Sequence, residues 1–178
     1  MDPVITVSIS ICMSLLFGVA AAHKMRAPET FRSAIDDYRL VPRSLSGPIS
    51  ICLLIAESLV ALMVLIPAAQ VAGLAVMAGL LLLYTGAICI NLNRGRRDLD
   101  CGCSGPASRH LISGWLVLRN LILLGLVLLA LLPPVSRPLN WMDLLVIVFG
   151  VLTASGLYLG MNQLLAQSSR LAGLRNGA

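Results

Sequence analysis

The feature that most restricts this sequence is a set of five long apolar runs, over about residues 4–22, 47–66, 71–92, 113–132 and 141–165. Each matches the roughly 20 residues that a helix needs to cross the hydrocarbon core of a bilayer. No water reaches that core to satisfy backbone N–H and C=O groups, so such a run must pair them internally as a helix. The sequence therefore predicts an all-α integral membrane protein, a bundle of about five transmembrane helices. Polar loops at 23–46 and 93–112 interrupt one membrane domain over residues 1–178. Composition agrees: only 12% of residues are charged, against about a quarter in soluble domains.

The connections carry further information. The first run could be taken for a signal peptide, since Ala20, Ala21 and Ala22 close it, but Met1-Asp2-Pro3 lacks the positive start such peptides have. A retained helix is expected. Residues 28–38 place Phe31, Ala34, Ile35 and Tyr38 at i, i+3, i+4 and i+7, the spacing of a short helix lying along the membrane surface. Only residues 67–70 separate the second and third runs, which forces an antiparallel hairpin. Gly156 and Gly160 allow close helix approach, expected within the bundle rather than between copies. Trp141 sits where an interfacial anchor belongs.

The formal charge of +5 raises the question of nucleic acid. The basic residues are spread through loops between apolar runs, with no continuous aromatic-rich basic groove, so nucleic acid is not an expected partner. The lipid bilayer is. Five crossings put the 23–46 loop, the 93–112 loop and the C-terminal segment on one side, with eleven basic residues against Arg137 alone on the other. By the positive-inside rule that side is cytoplasmic. The expected location is the bacterial inner membrane, as a multi-pass protein.

Two groups of residues could carry chemistry. Five cysteines do not form a secreted-type disulfide framework. Cys12, Cys52 and Cys89 lie inside apolar runs, whereas Cys101 and Cys103 flank Gly102 in the polar stretch Asp98-Leu99-Asp100-Cys101-Gly102-Cys103-Ser104-Gly105-Pro106. Gly102 tolerates the cramped backbone of the small ring that a Cys101–Cys103 disulfide would close. Such a bond is strained and exchanges readily. Arg96, Arg97 and Arg109 favour thiolate, whereas Asp98 and Asp100 oppose it. A redox pair is favoured over incidental thiols. A zinc site from Cys101, Cys103 and His110, with His23 or Asp100, matches none of the usual spacings, so neither metal nor cofactor is expected. Antiparallel topology brings Cys52 and Cys89 toward the cysteine loop, though each reads first as a small packing residue.

The second group is charged and inside the membrane. Glu57 falls about 15 Å into the second run and Arg119 about 10 Å into the fourth, entering from the same face. Charges at such depth usually find one another. A Glu57–Arg119 pair is expected, with Asn120 or Tyr84 assisting. His23 and Lys24 end the first run on the cysteine side, placed either to snorkel to the interface or to attract a thiolate or a quinone-like acceptor.

These residues together resemble the MauE family of methylamine-utilisation membrane proteins, within the broader group related to DoxX. The resemblance runs from about residue 23 to 132, through Lys24, Phe31, Asp37-Tyr38-Arg39-Leu40-Val41-Pro42, Glu57, Asn91-Leu92-Asn93-Arg94-Gly95-Arg96, Asp100 to Pro106, and Leu118-Arg119-Asn120. It implies a four-helix core like that of DoxX-related proteins, with the last helix added. It also implies a role in maturing the small subunit of methylamine dehydrogenase, alongside a thioredoxin-like partner resembling MauD. That subunit is exported, rich in disulfides and carries a quinone made from tryptophan side chains. Whether the dithiol turns over as a thiol–disulfide oxidoreductase stays open, because disulfide formation favours the periplasm while the basic residues put the loop in the cytoplasm. A non-catalytic scaffold or export chaperone docking through 23–46 is the alternative. A small transporter built on Glu57 and Arg119 is a weaker one, since no inverted repeat is seen.

Overall fold

The computed structural model describes residues 2–96, 99, 112–133, 135 and 137–176, with the side chains of residue 162 and of 164–176 excepted. Six helices follow one another among the described residues: α1 Pro3–Arg26, α2 Pro28–Tyr38, α3 Arg43–Met63, α4 Gln70–Asn93, α5 Gly114–Ala130 and α6 Trp141–Asn176. Among the described residues there is no strand, and α1, α3, α4 and the Trp141–Met161 part of α6 are long and apolar enough to cross a membrane. At 17 residues α5 is shorter, about 25 Å at 1.5 Å per residue. Its ends nevertheless reach opposite ends of the bundle. Leu116 packs with Ile88 and Ile112, while Val127 and Ala130 belong to the cluster of Ile9, Val64 and Leu74. The chain is a multi-pass helical membrane protein.

Helix boundaries follow local chemistry. Asp2 caps α1 by accepting from the Val4 amide at 2.9 Å, and Pro3 opens the first turn, where its missing N–H costs nothing. With no breaker before Pro28, α1 runs past the apolar stretch to Arg26, so His23 and Lys24 are helical rather than part of a loop. α2 occupies the span its spacing predicts, with Phe31 and Ala34 buried. α4 ends in a Schellman motif: Gly95 takes a positive φ of 74°, its amide reaches the Leu92 carbonyl at 3.0 Å, and the Arg96 amide reaches that of Asn91 at 3.1 Å. α6 continues as helix beyond its apolar part, to Asn176.

Lipid is as apolar as leucine, so close packing and interhelical hydrogen bonds hold such helices together. α1 packs against α3, α5 and α6, and α4 against α3 and α5. Buried fractions rank the helices accordingly: 44% of the apolar stretch of α4 is enclosed by protein against 11% for α6, which faces lipid. Ser14 Oγ donates to the Ala61 carbonyl at 2.6 Å across α1 and α3, and Gln70 Nε2 donates to Ser10 Oγ at 2.9 Å across α4 and α1. At the same end Arg137 forks between Asp143, at 2.8 Å, and Asp2, at 3.1 Å. The Val4 amide and Arg137 hold the Asp2 carboxyl below its ordinary range, and the two carboxylates push the Arg137 guanidinium upward. Arg137, the basic side chain of this end among the described residues, is thereby neutralised, which sharpens the charge asymmetry between the two ends.

The α3–α4 hairpin depends on one glycine. A Cβ at Gly73 would lie 2.9 Å from Val64 Cγ2 and 3.1 Å from the Val64 backbone nitrogen, whereas one at Gly79 would meet nothing within 4 Å. Gly73→Ala is therefore expected to pry the hairpin open, destabilising by about 1–3 kcal/mol as overpacked sites do. Gly79→Ala should be neutral or slightly stabilising. Unfolding of both variants in detergent, followed by circular dichroism, checks the contrast; equal behaviour would remove the close-approach argument.

Candidate functional site

Three helices converge on one carboxylate. Lys24 Nζ, near the end of α1, forms an ion pair with Glu57 Oε1 in α3, and both residues are almost wholly enclosed, at 3% and 1% exposure. Tyr84 of α4 donates its hydroxyl to the same oxygen at 2.5 Å and lies 3.3 Å from Lys24 Nζ as an acceptor. The ammonium is also 4.3 Å from the centre of the Phe31 ring on α2 and 4.9 Å from that of Tyr84. A desolvated cation over aromatic faces is favoured by about 2 kcal/mol. The short surface helix thus lays Phe31 as a cover over a buried charge. Glu57 Oε2 is buried without a hydrogen-bond partner.

This arrangement corrects the expected pairing. Glu57 is bonded to Lys24 and not to Arg119, and Lys24 neither snorkels nor stands free for a thiolate. The reason is helical geometry. Cα–Cβ bonds tilt toward the helix N-terminus, so a lysine at the end of α1 sends its stem back into the bundle. Of the two proposed helpers, Tyr84 does reach Glu57, while Asn120 accepts from Arg119 Nη2 at 3.4 Å. The Arg119 guanidinium lies 6.0 Å from the Tyr158 ring centre on α6, and its Nε is buried without a partner. His23 is half-buried, its carbonyl accepting from the Ala27 amide at 3.2 Å. Phe31 was legible as an apolar position on α2 and as one of the residues that carry the family resemblance, but not as a cover for Lys24. Its role depends on where Lys24 points, which no spacing within α2 reveals.

Cys101 and Cys103 lie outside the described residues, as do Asp100 and His110. The structure does fix the stems on either side. The Ile112 amide donates to the Leu99 carbonyl at 2.9 Å, so the chain leaves and re-enters the bundle at one point. Leu99, Tyr38 and Trp115 all pack against the cluster of Ile88, Ile112 and Leu116, at the end where α4 finishes and α5 begins. Arg96 Nη1 donates to the fully buried Asn91 Oδ1 at 3.3 Å, and Arg94 Nη1 to the Arg39 carbonyl at 3.5 Å. Cys12, Cys52 and Cys89 are free thiols, Cys52 exposed on the lipid side of α3 and the other two half-buried. Among the described residues, no three His, Cys, Asp or Glu side chains gather to hold a metal.

The sequence model described as Methylamine utilisation protein MauE matches residues 1–133, ending just past α5. The curated MauE of Paracoccus denitrificans is 34% identical over 71% of this chain and 68% of its own length. That of Paracoccus versutus is 33% identical over 97% and 90%, and that of Methylorubrum extorquens 32% identical over 99% and 92%. The two longer matches take in α6 as well. No solved structure matches. A family match over α1 to α5, with relatives a third identical along almost the whole chain, makes this multi-pass membrane protein a member of the MauE family, with a role in methylamine utilisation.

Proposed function

We propose that this chain is an inner-membrane accessory factor for maturation of the methylamine dehydrogenase small subunit, acting by thiol–disulfide exchange with a thioredoxin-like partner resembling MauD. Cys101 and Cys103 are the exchanging pair. The observation that carries the reading is a Cys-Gly-Cys motif, in a chain of the MauE family, on a segment whose two stems are hydrogen-bonded together at the basic end of the bundle. Stems joined in this way fix the point at which the segment leaves and re-enters the bundle, while the apolar helices keep the protein at the membrane.

The chemistry balances as a dithiol–disulfide exchange. One cysteine thiolate attacks a sulfur of the partner's disulfide, forming a mixed disulfide and releasing the partner's other sulfur as thiolate. The second cysteine then attacks the mixed disulfide, closing Cys101–Cys103 and leaving the partner with two thiols. Two electrons and two protons pass to the partner. Run in reverse, the same steps oxidise the partner at the expense of the Cys101–Cys103 bond. The buried Lys24–Glu57–Tyr84 cluster supports this role structurally, by locking α1, α3 and α4 together.

A variant with one cysteine replaced, Cys103→Ser or Cys101→Ser, is expected to trap a mixed disulfide when expressed with the other methylamine-utilisation proteins. The adduct should resist denaturant, disappear with dithiothreitol, and yield a thioredoxin-like protein on mass analysis. If neither variant gives any reducible adduct, thiol exchange is excluded as the mechanism.

A further inference from the structure

The donors left over on α5 point to a second site. Arg119 has five N–H groups, yet among the described residues its only hydrogen bond is the long one to Asn120 Oδ1, and it has no carboxylate partner. Its Nε is buried and unpartnered. So is the indole Nε1 of Trp115, four residues earlier and hence on the same helix face. Buried N–H groups are nearly always satisfied, so two orphans one turn apart, one of them on a guanidinium, describe the complement of an acceptor group that the described residues do not supply.

The setting identifies that group. α5 and α6 each pack on α1 rather than along each other, and Arg119 reaches across the gap to the Tyr158 ring. Trp115, Arg119 and Tyr158 are each only partly enclosed, so part of every one of these side chains reaches the surface of the bundle. Trp115 is one residue into α5, and Arg119 lies about 7 Å below the helix start, the depth at which headgroups give way to acyl chains. The same end of the bundle carries Arg26, Arg32, Arg39, Arg43, Arg94 and Arg96, a density that draws anionic headgroups. A planar guanidinium matches phosphate oxygens as a fork, and an indole N–H at an interface adds a third donor.

We propose that the α5–α6 gap binds one anionic phospholipid, its phosphate accepting from Arg119 and Trp115 Nε1 and its acyl chains lying against α1. The site is independent of the thiol chemistry and needs neither Cys101 nor Cys103. Delipidated protein in mild detergent is titrated with phosphatidylglycerol, with phosphatidylethanolamine of the same chains, and with a short-chain quinone, and examined by native mass spectrometry. One phosphatidylglycerol should survive the activation that strips all other adducts, retained about tenfold better than phosphatidylethanolamine, whose phosphate offers the same oxygens but whose ammonium is repelled by Arg119 and its basic neighbours. Arg119→Gln should abolish that preference and Trp115→Phe should weaken it several-fold. Arg119→Lys, which keeps the charge and loses the fork, should retain part of it. Trp115→Phe stands alone as the test if Arg119→Gln fails to fold. Equal retention of the two lipids, a preference unmoved by both substitutions, or displacement of phosphatidylglycerol by the quinone would overturn the proposal.

Discussion

Replacing Cys101 or Cys103 singly by serine is expected to cut accumulation of active methylamine dehydrogenase by about a hundredfold or more, while the membrane protein itself stays at its normal level. The two halves of that result have separate physical causes. Exchange needs one sulfur to attack and a second to resolve, so a single replacement leaves either no nucleophile or an adduct that relaxes only by uncatalysed rearrangement, over minutes to hours. The fold, by contrast, is held by α1 to α5 and by the stem contacts of Leu99 and Ile112, none of which uses those thiols. Enzyme activity in membrane-free extract, measured beside the level of the variant in the membrane fraction, checks both halves. Full activity in the Cys101→Ser/Cys103→Ser double variant would sink the redox reading and favour a scaffold that docks its target through residues 23–46.

The second large effect belongs to the buried ion pair. Lys24→Met leaves Glu57 with Tyr84 alone, and Glu57→Gln leaves the Lys24 ammonium held only by weaker dipoles and rings. Removing one partner of an enclosed pair costs about 3–5 kcal/mol, because an uncompensated charge stays behind. In hydrocarbon the chain has no water to turn to. Each single variant should therefore show markedly less folded protein and a lower midpoint in an SDS titration. Replacing both, as Lys24→Met/Glu57→Leu, removes the stranded charge and should recover much of the loss. Arg119→Gln is the control: since Arg119 does not touch Glu57, its effect should simply add to that of Glu57→Gln. Strong coupling between Arg119 and Glu57, with none between Lys24 and Glu57, would refute the observed pairing.

The way Lys24 was misread shows where sequence reasoning stops. Five apolar runs and Pro28 were enough to locate every helix, α2 included, because period and breakers act within a dozen residues. The start of α3 at Arg43 and the extension of α1 to Arg26 fell outside the apolar runs, since polar residues continue a helix as readily as apolar ones when nothing stops it. Glu57 and Arg119 were both legible as charges out of place. Which charge meets which was not, because two membrane charges at similar depth are equally plausible partners until helix rotation is known. Tyr84 was correctly singled out beside Glu57, while Asn120 went to Arg119.

The sequence by itself determined that this chain lives in a bilayer, that five apolar runs alternate with polar segments, where its basic residues gather, and that Cys101 and Cys103 flank a glycine in one of those segments. Those properties follow from solvation and spacing, which are local. Only the tertiary structure decided that Lys24 closes on Glu57 beneath Phe31, that Leu99 and Ile112 join the stems of the cysteine segment, and that Arg119 Nε and Trp115 Nε1 are buried without a hydrogen-bond partner. Each of these depends on how far every helix is turned about its own axis, and packing among five neighbours sets that rotation all at once.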